Sequence, residues 1–161
     1  MFSQKSPQRY KFVDLIKTIM DDISSIIDQQ LIEAYKATTY EVKRLGLSLQ
    51  IGRKNQHLEE FLIDNNEFTW AFISAYNPFS QVLSEMENKA RHQQLTIWLK
   101  AKGFRYLIGF GVPNNLDWQP EKSVFILGIS KRKAIELGNE LEQNAVIFGN
   151  LGKAPELVLL R

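Results

Sequence analysis

The chain has no cysteine, only two histidines, and no apolar run near the about 18 residues of a membrane span. Without cysteine there are no disulfides, thiol nucleophiles or thiolate metal sites. His57 and His92 lack H-E-x-x-H spacing and fall on polar faces of predicted helices, so no metal site is expected. No phosphate-binding glycine loop, G-x-S-x-G elbow or dinucleotide fingerprint occurs, and no cofactor is implied. The lone "GFG" at Gly109 to Gly111 reads as a strand bulge or a close backbone approach. A dominant sign of charge is missing too. Lys and Arg number 20 against 18 Asp and Glu, mixed along the chain, so nucleic-acid binding is not expected. The opening "MFSQKSPQRYKF" lacks the apolar segment and small-residue site of a secretory signal, and a cytoplasmic protein is expected.

What is present describes a soluble globular protein. The 161 residues are 44% hydrophobic and 24% charged, enough for a single domain with a true core. Residues 10–37 predict one long helix. Phe12, Ile16, Ile19, Ile23 and Ile26 recur at alternating steps of four and three, and Leu15, Met20, Ile27 and Leu31 widen the stripe. Such a stripe needs cover, either from the rest of the chain or from a second copy, which makes a homodimer through this helix a candidate assembly.

Next, "TTYEVKRLGLSLQIG" predicts a β-hairpin around Arg44 to Gly46. A short helix follows from about Asn55, with Leu58, Phe61 and Leu62 inward and Asn65-Asn66 at its end. "TWAFISA" predicts a strand, and "SEMENKARHQQLTIWLKAKG" a helix closed by Gly103. "FRYLIGFGV" and "SVFILGI" predict strands around a loop holding Pro113, Asn114, Asn115 and Pro120. A helix from Ser130 and the strands "NAVIFG" and "ELVLL" complete the chain. From Thr69 to Gly149 the order is β-α-β-β-α-β. The expected fold is therefore α+β: a mainly antiparallel sheet with a ferredoxin-like split βαβ core, an added hairpin and a long N-terminal helix. Right-handed crossovers would set both core helices on one sheet face.

The stretch "AYNPFSQVLSEMENKAR", residues 75–91, concentrates polar detail. Asn77-Pro78 favours an extended or turn conformation, and Ser84 with Glu87 forms a capping box. At 100° per residue, Asn88, Arg91, Leu95, Trp98 and Leu99 share one stripe, so an amide and a guanidinium point where the sheet must lie. A buried polar group left unpaired costs about 1–3 kcal/mol, so both need partners. Two explanations stand open. In one, Arg91 pairs with Glu87 and Asn88 caps a neighbouring loop. In the other, both line a cleft with Asn77 on its rim. A second anion candidate is the helix start at Ser130 followed by Lys131, Arg132 and Lys133. Asp117 and Glu121 flank "WQP" in a loop within reach of a cleft. An RNA-binding strand is not expected from "LIGFGV", because no basic residue precedes its glycine and Pro113 follows Val112.

Four segments in order, "AYNPFSQVLSEMENKAR", "PEKSVFILGIS", "ELGNELEQNAVIFG" and "APELVLL", resemble the bacterial family called domain of unknown function 3293. The likeness covers about residues 35–160 and leaves 1–34 as an N-terminal helical extension. The family pattern N-P, L-S-x-x-E-N-x-x-R, W-P-E-E-S and G-Q-N-A maps onto Asn77, Pro78, Leu83, Ser84, Glu87, Asn88, Arg91, Trp118, Glu121, Ser123, Gln143, Asn144 and Ala145. Two departures are Gln119, inserted between Trp118 and Pro120, and Glu142, where the family carries glycine. The resemblance implies no particular activity. It draws the same motifs toward neighbouring elements of one fold. The expected site is a polar cleft of Asn77, Asn88, Arg91, Glu121 and Asn144 for a small polar or anionic ligand, with Arg91 holding an anion bidentately. The alternative is an interaction module in which these residues are structural.

Overall fold

Strand side chains alternate between sheet faces, and in this chain the central strands are apolar on both. The computed structural model describes residues 7–161, with side chains from Phe12 onward other than Ile27. Residues 1–6 of the expected extension lie outside the described residues. The elements run α1 (Pro7–Ala37), β1 (Thr39–Val42), β2 (Leu47–Leu49), α2 (Gln56–Asp64), β3 (Thr69–Ser74), α3 (Glu85–Ala101), β4 (Tyr106–Val112), β5 (Glu121–Leu127), α4 (Lys131–Glu140), β6 (Ala145–Asn150) and β7 (Glu156–Leu159). Chain contacts divide it into two units, Met1–Ala34 and Tyr35–Arg161.

In the first unit α1 carries the apolar stripe on its surface. Phe12 is 65% exposed, and Ile16, Ile19, Ile23 and Ile26 are exposed as well. No helix among the described residues is long and apolar enough to cross a membrane.

The second unit is built on a seven-stranded sheet of order β2-β1-β4-β5-β3-β6-β7, with every adjacent pair antiparallel. One face gathers Ala71, Ile73, Val124, Ile126, Val146 and Phe148 under Leu95 and Leu99 of α3 and Ala134 and Leu137 of α4. The other gathers Trp70, Phe72, Phe125, Leu127 and Ile147 under Leu58 and Leu62 of α2 and the hairpin residues Tyr40, Val42, Leu47 and Leu49. Both core helices thus share one face, while α2 packs on the other together with side chains of the hairpin strands. Burying a leucine- or phenylalanine-sized side chain is worth about 1.5–3 kcal/mol, so these two layers are the main stabilising force.

Helix ends follow the capping signals. Asn55 accepts the Leu58 amide at 2.9 Å, and Ser130 accepts that of Lys133 at 3.2 Å. Ser84 and Glu87 form the reciprocal box at the start of α3. Lys131 lies 2.8 Å from Glu156, while Arg132 and Lys133 both approach Glu136. The basic first turn of α4 therefore has carboxylate partners, which removes the need for a bound anion there.

Gly109 is a close approach. A Cβ there would sit 2.5 Å from the Phe72 ring and 3.0 Å from the Glu41 carbonyl oxygen. Phe72 is itself buried against the edge of Tyr40. Gly109→Ala is accordingly expected to lower unfolding free energy by about 1–3 kcal/mol, measured by urea denaturation. Unchanged stability would mean that the Phe72 ring has room to retreat.

Candidate functional site

A sheet buried on both faces leaves its strand ends as the places where polar side chains collect. Beyond β3 the chain reaches Asn77 in a left-handed conformation (φ 46°), the turn alternative for an Asn-Pro step. Phe79 (φ 51°) and Ser80 (φ 60°) are left-handed as well. A left-handed aromatic residue is uncommon and persists where its surroundings hold it. Here the Phe79 amide donates to the Glu142 carbonyl at 2.7 Å, and the Arg161 guanidinium lies 3.3 Å over its ring.

Asn88, in the first turn of α3, is buried and locks onto this loop. Its Oδ1 accepts the Asn77 amide at 2.9 Å, and its Nδ2 donates to Asn77 Oδ1 at 2.9 Å and to the Leu83 carbonyl at 3.4 Å. Asn77 Oδ1 also accepts the Leu83 amide at 3.1 Å, and its Nδ2 donates to Glu121 Oε2 at 3.2 Å. The strand ends are pinned beneath: Ser74 Oγ donates to the Lys122 carbonyl and accepts the Tyr76 amide, both at 3.0 Å.

Glu121 is the electrostatic anomaly of the corner. It is half-buried and takes part in no ion pair among the described residues. Burial pushes its carboxyl above the usual carboxylate range, against the opposing effect of the nearby Ser74 hydroxyl and of the hydrogen bond from Asn77. Tyr35 shares this environment. Its phenol is pushed up to about 12, first by burial and then by the charge of Glu121, with a hydrogen bond from Asn144 working the other way. Asn144 also donates to Ser80 Oγ at 2.8 Å. Tyr40 backs the group by donating to the Tyr35 carbonyl at 3.0 Å.

Of the residues expected from sequence, Asn77, Asn88 and Glu121 are directly hydrogen bonded, and Asn144 joins them through Tyr35 and Ser80. Arg91 is engaged elsewhere. Its Nε donates to the Ala75 carbonyl and its Nη2 to the Leu141 carbonyl, each at 2.7 Å, while Nη1 is 3.7 Å from Glu142 Oε1. It does not pair with Glu87, which is committed to the capping box. Arg91 also lines a shallow cleft of about 240 Å³ between α3 and α4, apart from the other four. Glu142 is left-handed (φ 57°), so the glycine of the resembled pattern has a conformational explanation at this position.

His92 corrects its expected place on a polar face. It lies four residues after Asn88 and three before Leu95, which puts it on the inward stripe, and it is 6% exposed. Its Nδ1 has no hydrogen-bond partner, and burial, helped by the charge of Lys122, lowers its pKa to about 4. Asp117 is exposed in its loop, while Glu121 is half-buried at the start of β5. No metal-binding cluster exists among the described residues. Sequence reasoning missed Tyr35, Ser74, Ser80 and His92. The stripe spacing was a usable signal for His92, and a serine ending an apolar strand a weak one for Ser74. Tyr35 and Ser80 had none.

Residues 73–146 match the model of a family described as "Protein of unknown function (DUF3293)", and the match spans all five residues of the expected site. No curated protein and no solved structure matches the chain.

Because Glu121 binds its proton more readily in the folded chain than in the unfolded one, its charge destabilises the fold at neutral and higher pH. That penalty fades as pH falls through the carboxylate range. Glu121→Gln is expected to melt a few degrees above the wild type at pH 7–8, with the gap closing below about pH 4. Calorimetry across that range checks it. A variant melting lower at neutral pH would mean that the carboxylate is held by more than its amide partners.

Proposed function

Since the chain belongs, through residues 73–146, to this family of unknown function, its chemistry rests on the corner itself, and we propose that the corner binds a small polar ligand through Glu121. The observation that carries this reading is a half-buried carboxylate with hydrogen-bond donors around it and no cation among the described residues. Perturbed groups gathered at one place are a mark of functional sites. Glu121 favours a ligand bearing a positive charge or several donors. Asn77, Asn144 and the Tyr35 hydroxyl orient it, while Asn88 and Arg91 hold the loop in shape from behind. A left-handed Phe79 and Ser80 fit a loop shaped for recognition. The carrying fold is read as a ferredoxin-like split βαβ core, supported by the β4-β5-β3-β6 order and by α3 and α4 on one face.

A panel of methylammonium, guanidinium, choline, acetamide and acetate tests the site. Side-chain amide resonances of Asn77 and Asn144 are expected to shift with a cationic probe in the wild type and not in Glu121→Gln. Equal responses in both proteins, or a response to acetate alone, overturn the reading.

A second reading is favoured by a separate observation, the exposed stripe of α1. Isoleucine at both seam positions of an alternating four-three pattern suits helix association between copies of this chain. Light scattering is expected to give a molar mass above the 18.6 kDa of one chain, falling to it in Ile19→Lys. A wild type that is monomeric at high micromolar concentration refutes this assembly.

A further inference from the structure

The outer side of β4 is only half covered. β1 pairs with it from Thr39↔Val112 to Glu41↔Phe110 and then turns away into the single helical turn Lys43–Leu45. The Leu127 amide donates to the Arg105 carbonyl, and the β4–β5 register continues without a bulge. Odd-numbered residues of β4 therefore aim their backbone groups at β5, and even-numbered ones aim at β1. Phe110 and Val112 meet β1 there. Tyr106 and Ile108 do not, and their amides and carbonyls have no backbone partner among the described residues.

Along this open edge runs a groove of about 670 Å³. Lys43, Arg44, Lys100 and Arg105 line it, and no acidic residue does. Lys43, Arg44 and Lys100 are exposed and belong to no ion pair among the described residues, whereas Arg105 is shared with Glu67. A cationic edge of this kind repels another cationic strand and attracts an acidic one.

We propose that the β4 edge docks an extended acidic peptide segment of a partner protein by strand addition. Tyr106 and Ile108 sit two residues apart, the spacing at which a peptide backbone offers donor and acceptor together on one side. Acidic side chains of the added strand then meet Lys43, Arg44 and Lys100. A single-stranded nucleic acid suits the groove less well. It has no alternating amides to pair with the edge, and the aromatic side chains at the groove have other contacts: Phe104 stacks on Trp98, Lys43 covers Phe110 at 5.1 Å, and Tyr106 packs against the core layer beneath α3 and α4.

The test uses the full chain with three labelled probes: an octapeptide alternating Glu and Val, its Lys-Val counterpart, and an eight-residue oligothymidine. The acidic peptide is expected to bind and to weaken with salt. It should also slow hydrogen exchange at the Tyr106 and Ile108 amides selectively. Lys43→Glu with Lys100→Glu, both surface changes, should weaken it by about tenfold or more. Binding of the acidic peptide without protection of those two amides overturns strand addition. Preference for oligothymidine, or no binding of the acidic peptide at all, overturns the assigned partner.

Discussion

Burial of β3 and β5 on both faces is the constraint that organises the second unit. Trp70, Phe72, Phe125 and Leu127 point into one layer, and Ala71, Ile73, Val124 and Ile126 into the other. No position within these central strands can hold an unpaired polar side chain cheaply. Polar groups are pushed to the strand ends, where Ser74 and Glu121 stand at the same end of the antiparallel pair. The corner is therefore a consequence of the core.

At that corner hydrogen bonding and charge divide the work. Asn88 and Arg91 project from α3 and satisfy backbone groups of the loop after β3 and of the turn before β6. Arg91 alone reaches both segments, and its bond to the Leu141 carbonyl spans 50 positions of the chain. Asn77 has both a structural and an outward role, since its Oδ1 serves Asn88 and Leu83 while its Nδ2 faces Glu121. Glu121 is the member whose charge is least compensated. Its charge is held at a cost in stability, because burial disfavours the ionised form.

The two ends of the sheet are handled differently. On one side β7 runs antiparallel to β6, with Lys131 of α4 bound to its Glu156. On the other, β1 and β2 extend the sheet, yet β1 departs before covering Tyr106 and Ile108. Lysines near an uncovered edge are a known means of preventing unwanted strand pairing, and the same charges set which strand is admitted.

The order of elements was legible in sequence because it depends on local rules. The run of four-three spacings marked α1, the alternation in "TTYEVKRLGLSLQIG" marked the hairpin, and Asn55, Ser84 and Ser130 marked helix starts through bonds made within three residues. The helix phase also brought Asn88 and Arg91 to the inward side. Their partners were not legible, because a carbonyl such as that of Leu141 is common to every residue and only the packing of α4 against α3 brings it to Arg91. The same holds for Tyr35, whose link to Glu121 and Asn144 spans most of the chain, and for the open edge of β4, which depends on where β1 turns away. By itself the sequence determined which segments are helix or strand and which faces are apolar, since both follow from spacing. Only the tertiary structure decided that Glu121 is half-buried without an ion pair among the described residues and that β1 leaves part of the β4 edge uncovered, since both are set by distances through space.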